Sequence, residues 1–175
     1  WAELAAEQCG VVARRQLLAM GLTSGAVAAR LDIGRWSSLL PGVYCASPGA
    51  PPDDVRAWAA LLYVGEQAAL CADSALWSWG VVDRLPSPVT VCVPQSRRVR
   101  SRAEVTVVTR ADIDMDVHPS ALPPRQRVEA ALLDAVGVRE ASGDVVALVL
   151  RAVQAGHTTA ARLRRALDGK SRQRH

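Results

Sequence analysis

The apolar positions near the start of the chain fall three or four apart, the helical spacing, and then give way to strand-like alternation. Residues 2–9 predict a short helix stopped by Gly10. Residues 12–20 predict a second, stopped by Gly21, with Leu17 and Leu18 facing inward and Arg14, Arg15 and Gln16 turned to solvent. A third helix is expected from Thr23 or Ser24, either of which can accept an orphan N–H of the first turn. Its buried stripe is Val27 and Leu31, which leaves Ser24, Ala28 and Arg30 outward. Two helices joined by a short turn containing glycine make a helix-turn-helix. "RWSSLL" (35–40) and "VYCA" (43–46) then read as strands with Pro41-Gly42 at the turn between them, which would be a β-wing. Trp36 and Tyr44, beside the alternating Leu39 and Val43, are expected to anchor its core.

Pro48, Pro51 and Pro52 break the pattern in "SPGAPPDD" (47–54), the clearest linker. From Asp53 or Asp54 helical spacing resumes through Val55, Trp58, Ala59 and Leu62 as far as Gly65, and Asp73–Trp79 predicts a short helix ending at Gly80. "PVTVCVP" (88–94) and "EVTVVTR" (104–110) alternate with a period near two and pair most simply as a hairpin across "QSRRVRSRA". Helices are predicted at 125–136, 144–155 and 158–168. The expected class is α+β: a winged helix-turn-helix over 1–48, a small mixed α/β domain over 52–137, and a helical C-terminal segment with a basic tail over 138–175.

Half of the 175 residues are apolar, enough for a sizeable core. No apolar run reaches the roughly eighteen residues of a membrane span, and no basic region precedes an apolar stretch as in a signal peptide, so a cytoplasmic protein without a membrane partner is expected. The chain opens on Trp1 and closes on "KSRQRH", which reads as a piece of a longer one. Cys9, Cys45, Cys71 and Cys92 lie too far apart for a C-x-x-C site and are expected as reduced, buried fillers. The net charge of +4 and pI near 9.2 come almost wholly from arginine, Lys170 being the sole lysine. Guanidinium forks fit phosphates and base edges, so this charge points toward nucleic acid.

Taken in order, "GLTSGAVAARLDIGRWSSLLPGVYCA", "RAWAALLYVG", "ADSALWSWGV" and "VTVCVP" resemble the AbiEi family of antitoxins from abortive-infection toxin–antitoxin systems. The likeness runs over residues 2–136, and its most specific part is G-R-W-x-x-L-x-P-G-V-Y followed later by S-A-L-W-x-W-G. The resemblance implies a winged helix-turn-helix that binds inverted repeats in its own promoter, represses transcription, and opposes a nucleotidyltransferase toxin. Actinobacterial relatives often continue into an endonuclease-like domain. Relatives often carry Ser or Thr where Ala13 stands, and several arginines on the third helix, where Arg30 is here the only cation.

On this reading the partner is double-stranded DNA, contacted by a homodimer or by two monomers placed on two half-sites. Thr23, Ser24 and Arg30 would approach the major groove beside Arg14, Arg15 and Gln16, while Arg35, Ser37 and Ser38 of the wing touch the backbone. Arg97, Arg98 and Arg100, with Arg102, either track phosphates from the hairpin loop or are solvated charges that discourage strand pairing. "AVQAGHTTAARLRRAL" (152–167) repeats the order helix, glycine, threonine cap, helix; Thr158, Thr159, Arg162 and Arg165 would form an auxiliary DNA surface, against plain helical packing. Arg164, Lys170, Arg172 and Arg174 add to the basic tail. In "DIDMDVH" a calcium loop from Asp112 would need Gly and Glu where Val117 and Pro123 stand. No P-loop, G-x-S-x-G or metalloprotease motif occurs, so neither catalysis nor a cofactor is expected. The rival readings are a protein-binding module that neutralises a toxin by contact, with Trp77 and Trp79 as its interface, and the regulatory front half of an endonuclease-like protein.

Overall fold

A computed structural model describes residues 1–46, 49–137 and 142–172, and the chain divides into two compact units, Trp1–Ala68 and Ala69–His175. Helices and two small sheets make it an α+β protein. The first unit runs α1 (Ala2–Glu7), β1 (Val11–Ala13), α2 (Arg14–Ala19), α3 (Ser24–Asp32), β2 (Ser37–Leu40), β3 (Val43–Cys45) and α4 (Asp53–Val64). Its strands lie in the order β1-β3-β2, antiparallel throughout, with Val12 opposite Tyr44.

β1 takes the front of the stretch whose spacing predicts a helix from residue 12. Cys9 and Gly10 both adopt positive φ, 54° and 83°, and turn the chain into Val11 and Val12, β-branched residues that suit a strand. α2 therefore starts at Arg14, with Ala13 as its N-cap. Leu17 is buried as expected, but Leu18 is 39% exposed.

Alternation along these strands sends Val12 and Tyr44 to one side, where they pack with Ala5, Leu17, Val27 and Trp36. Val11, Ala13, Val43 and Cys45 point to the other side and are also buried, and α4 packs against all three strands. A strand buried on both sides needs two covering layers. That is why α4 belongs to the first unit, and why a domain boundary between 48 and 52 does not match the fold. Burial on α4 spreads past the single stripe of Val55, Ala59 and Leu62 to Ala57, Ala60, Leu61 and Val64, while Trp58 is only half-buried. Fully burying a Val or Leu contributes roughly 1.5–3 kcal/mol, so this helix is a main support of the sheet.

The second unit runs β4 (Ala69–Leu70), α5 (Ala72–Ser78), β5 (Val89–Pro94), β6 (Val105–Arg110), α6 (Ile113–Asp116), α7 (Val128–Val136), α8 (Ser142–Gln154) and α9 (Ala160–Arg172), and so joins the segments 52–137 and 138–175 apart from α4. Its sheet order is β4-β5-β6. β5 and β6 pair in parallel, Val89 opposite Val105 and Pro94 opposite Arg110, rather than as a hairpin. "QSRRVRSRA" has none of the two-residue turn pairs that close hairpins. It returns instead along β6, where Arg102 bridges Val105 and the Ser101 hydroxyl accepts from the Val107 N–H at 2.9 Å.

Cys45, Cys71 and Cys92 are buried free thiols, whereas Cys9, expected as a filler, is exposed. No helix among the described residues is long and apolar enough to cross a membrane.

Candidate nucleic-acid interface

The α2–α3 turn is built by hydrogen bonds that the sequence encodes locally. Gly21 sits at φ 86°, the Leu22 N–H returns to the Leu17 carbonyl at 3.0 Å, and the Thr23 hydroxyl accepts from the Ala26 N–H at 3.2 Å. Thr23 is thus the cap of α3. Arg14, at the start of α2, donates from Nη2 to the Ser24 hydroxyl at 2.7 Å, and its N–H reaches the Gly42 carbonyl of the wing turn at 2.8 Å. The fold therefore brings Arg14, Thr23 and Ser24 together beside Gly42, all three exposed. Arg35 and Ser38 are exposed on and just before β2, an edge strand, and Ser37 is half-buried.

Three nominated residues serve the fold instead. Arg15 donates from Nη1 to the Leu62 carbonyl at 2.7 Å, satisfying an orphan acceptor in the last turn of α4. Gln16 takes the Ala13 N–H on Oε1 at 2.9 Å, the half of a capping box that an alanine cap still permits, and donates from Nε2 to Gln8 Oε1 at 2.9 Å. Gln8, itself buried, passes a hydrogen bond on to the Val11 carbonyl at 3.0 Å. Arg30, expected toward solvent, folds back. Its Nη1 donates to the Ala26 carbonyl at 2.8 Å, and its guanidinium lies 5.3 Å from the centre of the Trp36 ring. Trp36 stacks on Tyr44 at 6.3 Å and meets Trp1 edge-on at 5.2 Å, so both wing aromatics are core anchors, as expected. The outward face of α3 is left with Ser24, Gly25, Ala28, Ala29 and Asp32.

Arg97, Arg98 and Arg100 belong to the second unit, in the returning segment rather than at a hairpin tip. Arg97 is half-buried; Arg98 and Arg100 are exposed.

Two carboxylate centres in the second unit carry no signal in the sequence beyond their charge. Asp134 of α7 receives Arg110 at 2.7 Å, Lys170 at 2.8 Å and the Gln126 amide at 2.8 Å. Glu129, buried one and a half turns earlier, accepts from the Thr158 hydroxyl at 2.7 Å and from Arg162 Nε at 2.8 Å. Thr158 and Arg162, nominated for DNA, are thus held by α7. Glu129 and Arg162 border a cleft of about 320 Å³ whose lining also includes Asp116, Arg127, Arg165 and Lys170. Burial pushes the Asp116 carboxyl up, opposed by Lys170. Trp79 is half-buried rather than a free interface. Its Nε1 donates to the Gln126 carbonyl at 2.8 Å, Arg125 lies 4.3 Å over its ring, and His118 and His157 flank it. The side chain of Arg172 and all of Arg174 lie outside the described residues.

No family model matches the chain, and no curated protein matches it. Among solved structures it is similar to the crystal structure of the RV2827C protein from Mycobacterium tuberculosis, with 22% sequence identity and a TM-score of 0.57 over 96% of this chain and 69% of that one. At that identity the likeness is one of fold.

Proposed function

We propose that the chain is a DNA-binding, antitoxin-like transcriptional repressor acting in the cytoplasm, and that it meets inverted repeats in its own promoter through the first unit as a homodimer. The observation that carries this reading is the order α1-β1-α2-α3-β2-β3 with a β1-β3-β2 sheet, a helix-turn-helix completed by a wing. In such a fold the second helix of the pair enters the major groove and the wing meets the backbone. Arg14, Thr23, Ser24, Arg35 and Ser38 are the residues left outward for these contacts. The small side chains of α3 let its backbone lie close to a duplex, and phosphate binding falls mainly to Arg14 and Arg35. Each neutralised phosphate contributes about 0.9 to the salt slope, so a dimer using both arginines twice gives a slope near 3.6.

The test is a salt titration of binding to a duplex from the chain's own upstream region, for the wild type and for Arg14→Ala/Arg35→Ala. The double variant is expected to lose most of that slope. Absence of wild-type binding at low salt would refute the repressor reading.

A contact module for a toxin of nucleotidyltransferase type is the second reading. It is favoured by the absence of an outward cation on α3 and by the exposure of Leu18, Met20 and Ile33 in the same unit. Co-purification of a toxin from the neighbouring gene with a protein that ignores DNA would support it.

A further inference from the structure

α8 and α9 repeat the α2–α3 turn hydrogen bond for hydrogen bond. Gly156 at φ 74° stands where Gly21 stands at 86°. The His157 N–H returns to the Ala152 carbonyl at 3.1 Å, as Leu22 returns to Leu17 at 3.0 Å, and the Ala155 N–H reaches Arg151 at 2.9 Å as Met20 reaches Gln16 at 3.0 Å. Burial follows the same register: Ala152 and Leu17 are both 0% exposed, and Val153 and Leu18 are 38% and 39% exposed. Past the turn Thr159 accepts from the Arg162 N–H at 3.3 Å, as Thr23 accepts from Ala26 at 3.2 Å.

The second turn is one residue longer, and the additional residue is Thr158, pinned to Glu129 of α7. α7 packs against both α8 and α9, which supplies the third helix that such a pair needs.

What differs is charge. α3 carries Arg30 against Asp32, and Arg30 is turned inward. Between Ala160 and Lys170, α9 carries Arg162, Arg164, Arg165 and Lys170 against Asp168. Glu129 takes Arg162 and Asp134 takes Lys170. Arg164 and Arg165 are exposed, and among the described residues the Arg165 guanidinium bonds only the Ala161 carbonyl of its own helix, at a long 3.4 Å.

We propose that α8–turn–α9 is a second helix-turn-helix that binds double-stranded DNA, with Arg164 and Arg165 of α9 as its phosphate contacts. It extends to the second unit the partner proposed for the first, and it stands or falls separately.

The experiment measures affinity of the full chain for a random-sequence duplex of roughly 20 base pairs, about two helical turns, across a salt series. Variants are Arg164→Ala/Arg165→Ala, the charge-preserving Arg164→Lys/Arg165→Lys, Arg14→Ala/Arg35→Ala, and Arg56→Ala/Arg84→Ala as a charge-matched control. Two lost phosphate contacts lower the salt slope by about 1.8 and the affinity roughly tenfold or more near 0.1 M salt. The lysine pair is expected to keep both, and the control pair to resemble wild type. A wild-type slope for Arg164→Ala/Arg165→Ala, or an equal loss in the control pair, overturns the second site. If only Arg14→Ala/Arg35→Ala then weakens binding, the first-unit reading survives alone; if only the α9 variant weakens it, the second site survives and the first-unit reading falls.

Discussion

Asp134 offers a quantitative test of how the second unit holds together. Its side chain is 7% exposed, and three donors converge on it: Arg110 from the end of β6, Lys170 from α9, and the amide of Gln126, which also accepts the Ala72 N–H at the start of α5. One carboxylate thus ties β6, α5, α7 and α9 together. Asp134→Ala leaves all three donors without their acceptor, in a place where Arg110 Nε is already buried with no partner among the described residues. Removing one member of a buried ion pair costs about 3–5 kcal/mol. Arg110 and Lys170 are 33% and 29% exposed, so water recovers part of their loss and the low end, about 3 kcal/mol, applies. At about 4 °C of Tm per kcal/mol for a domain near this size, the second unit should melt about 12 °C lower. Thermal and urea denaturation followed by circular dichroism reads this directly. Lys170→Ala, which removes a single partly exposed partner and leaves Arg110 and Gln126 on the carboxylate, is expected to cost at most about 1 kcal/mol. If Asp134→Ala loses no more than Lys170→Ala, the carboxylate is not what joins these elements.

Two further outcomes follow from single groups. Burial raises the Asp116 carboxyl above its ordinary 3.8, so the folded chain holds that proton more tightly than the unfolded one. Its contribution to stability therefore falls as pH rises above that value and levels off once the folded carboxyl has ionised too. Asp116→Asn removes that decline, so the variant's Tm relative to wild type should rise from acid to neutral pH and end no lower than wild type at neutral pH; a Tm difference that does not change with pH would refute this role for Asp116. Among the thiols, partial burial and then the Asp54 carboxylate raise Cys9, yet it is the exposed one. Mass spectrometry after iodoacetamide treatment of the native protein should find Cys9 modified, more slowly than a free thiol, and Cys45, Cys71 and Cys92 protected until denaturant is added; early modification of Cys71 would contradict the packing of β4 on β5.

The first unit is legible where turn chemistry is local. Gly21, Thr23 and Pro41-Gly42 each require a particular backbone, so α3 and the wing lie where spacing and capping put them. β1 is not legible, because three residues are too few to display a two-residue period and the helical pattern of α2 runs straight into them. The sense of the β5–β6 pairing escapes for a related reason. Alternation marks a strand but says nothing about which way its neighbour runs, and here the segment between the strands runs back beside β6 and makes the pairing parallel. α4 is read correctly as a helix and wrongly as the start of a new domain, since its true partner, the far side of the β1-β3-β2 sheet, has no local mark in its own sequence.

The candidate site shows the same division at the level of single arginines. Helical spacing tells which guanidinium leaves a helix on which side, but an arginine stem is long enough to turn back. Arg15 finds the carbonyl of Leu62, 47 residues away; Arg30 finds the Trp36 ring, and Arg162 the buried Glu129. In each case a partner inside the fold is already in place and pre-oriented, so a phosphate would have to displace a bond rather than form a new one. Arg14 differs in kind: its partner is the hydroxyl of Ser24, a neutral group itself exposed at the start of α3, and exchanging that bond for a charge-assisted one to phosphate is favourable. The same reasoning separates Arg164 and Arg165 from Arg162 on α9. Which basic residues can serve a polyanion is therefore decided by what each one would have to release, and that accounting needs the tertiary structure even where every helix has been placed correctly.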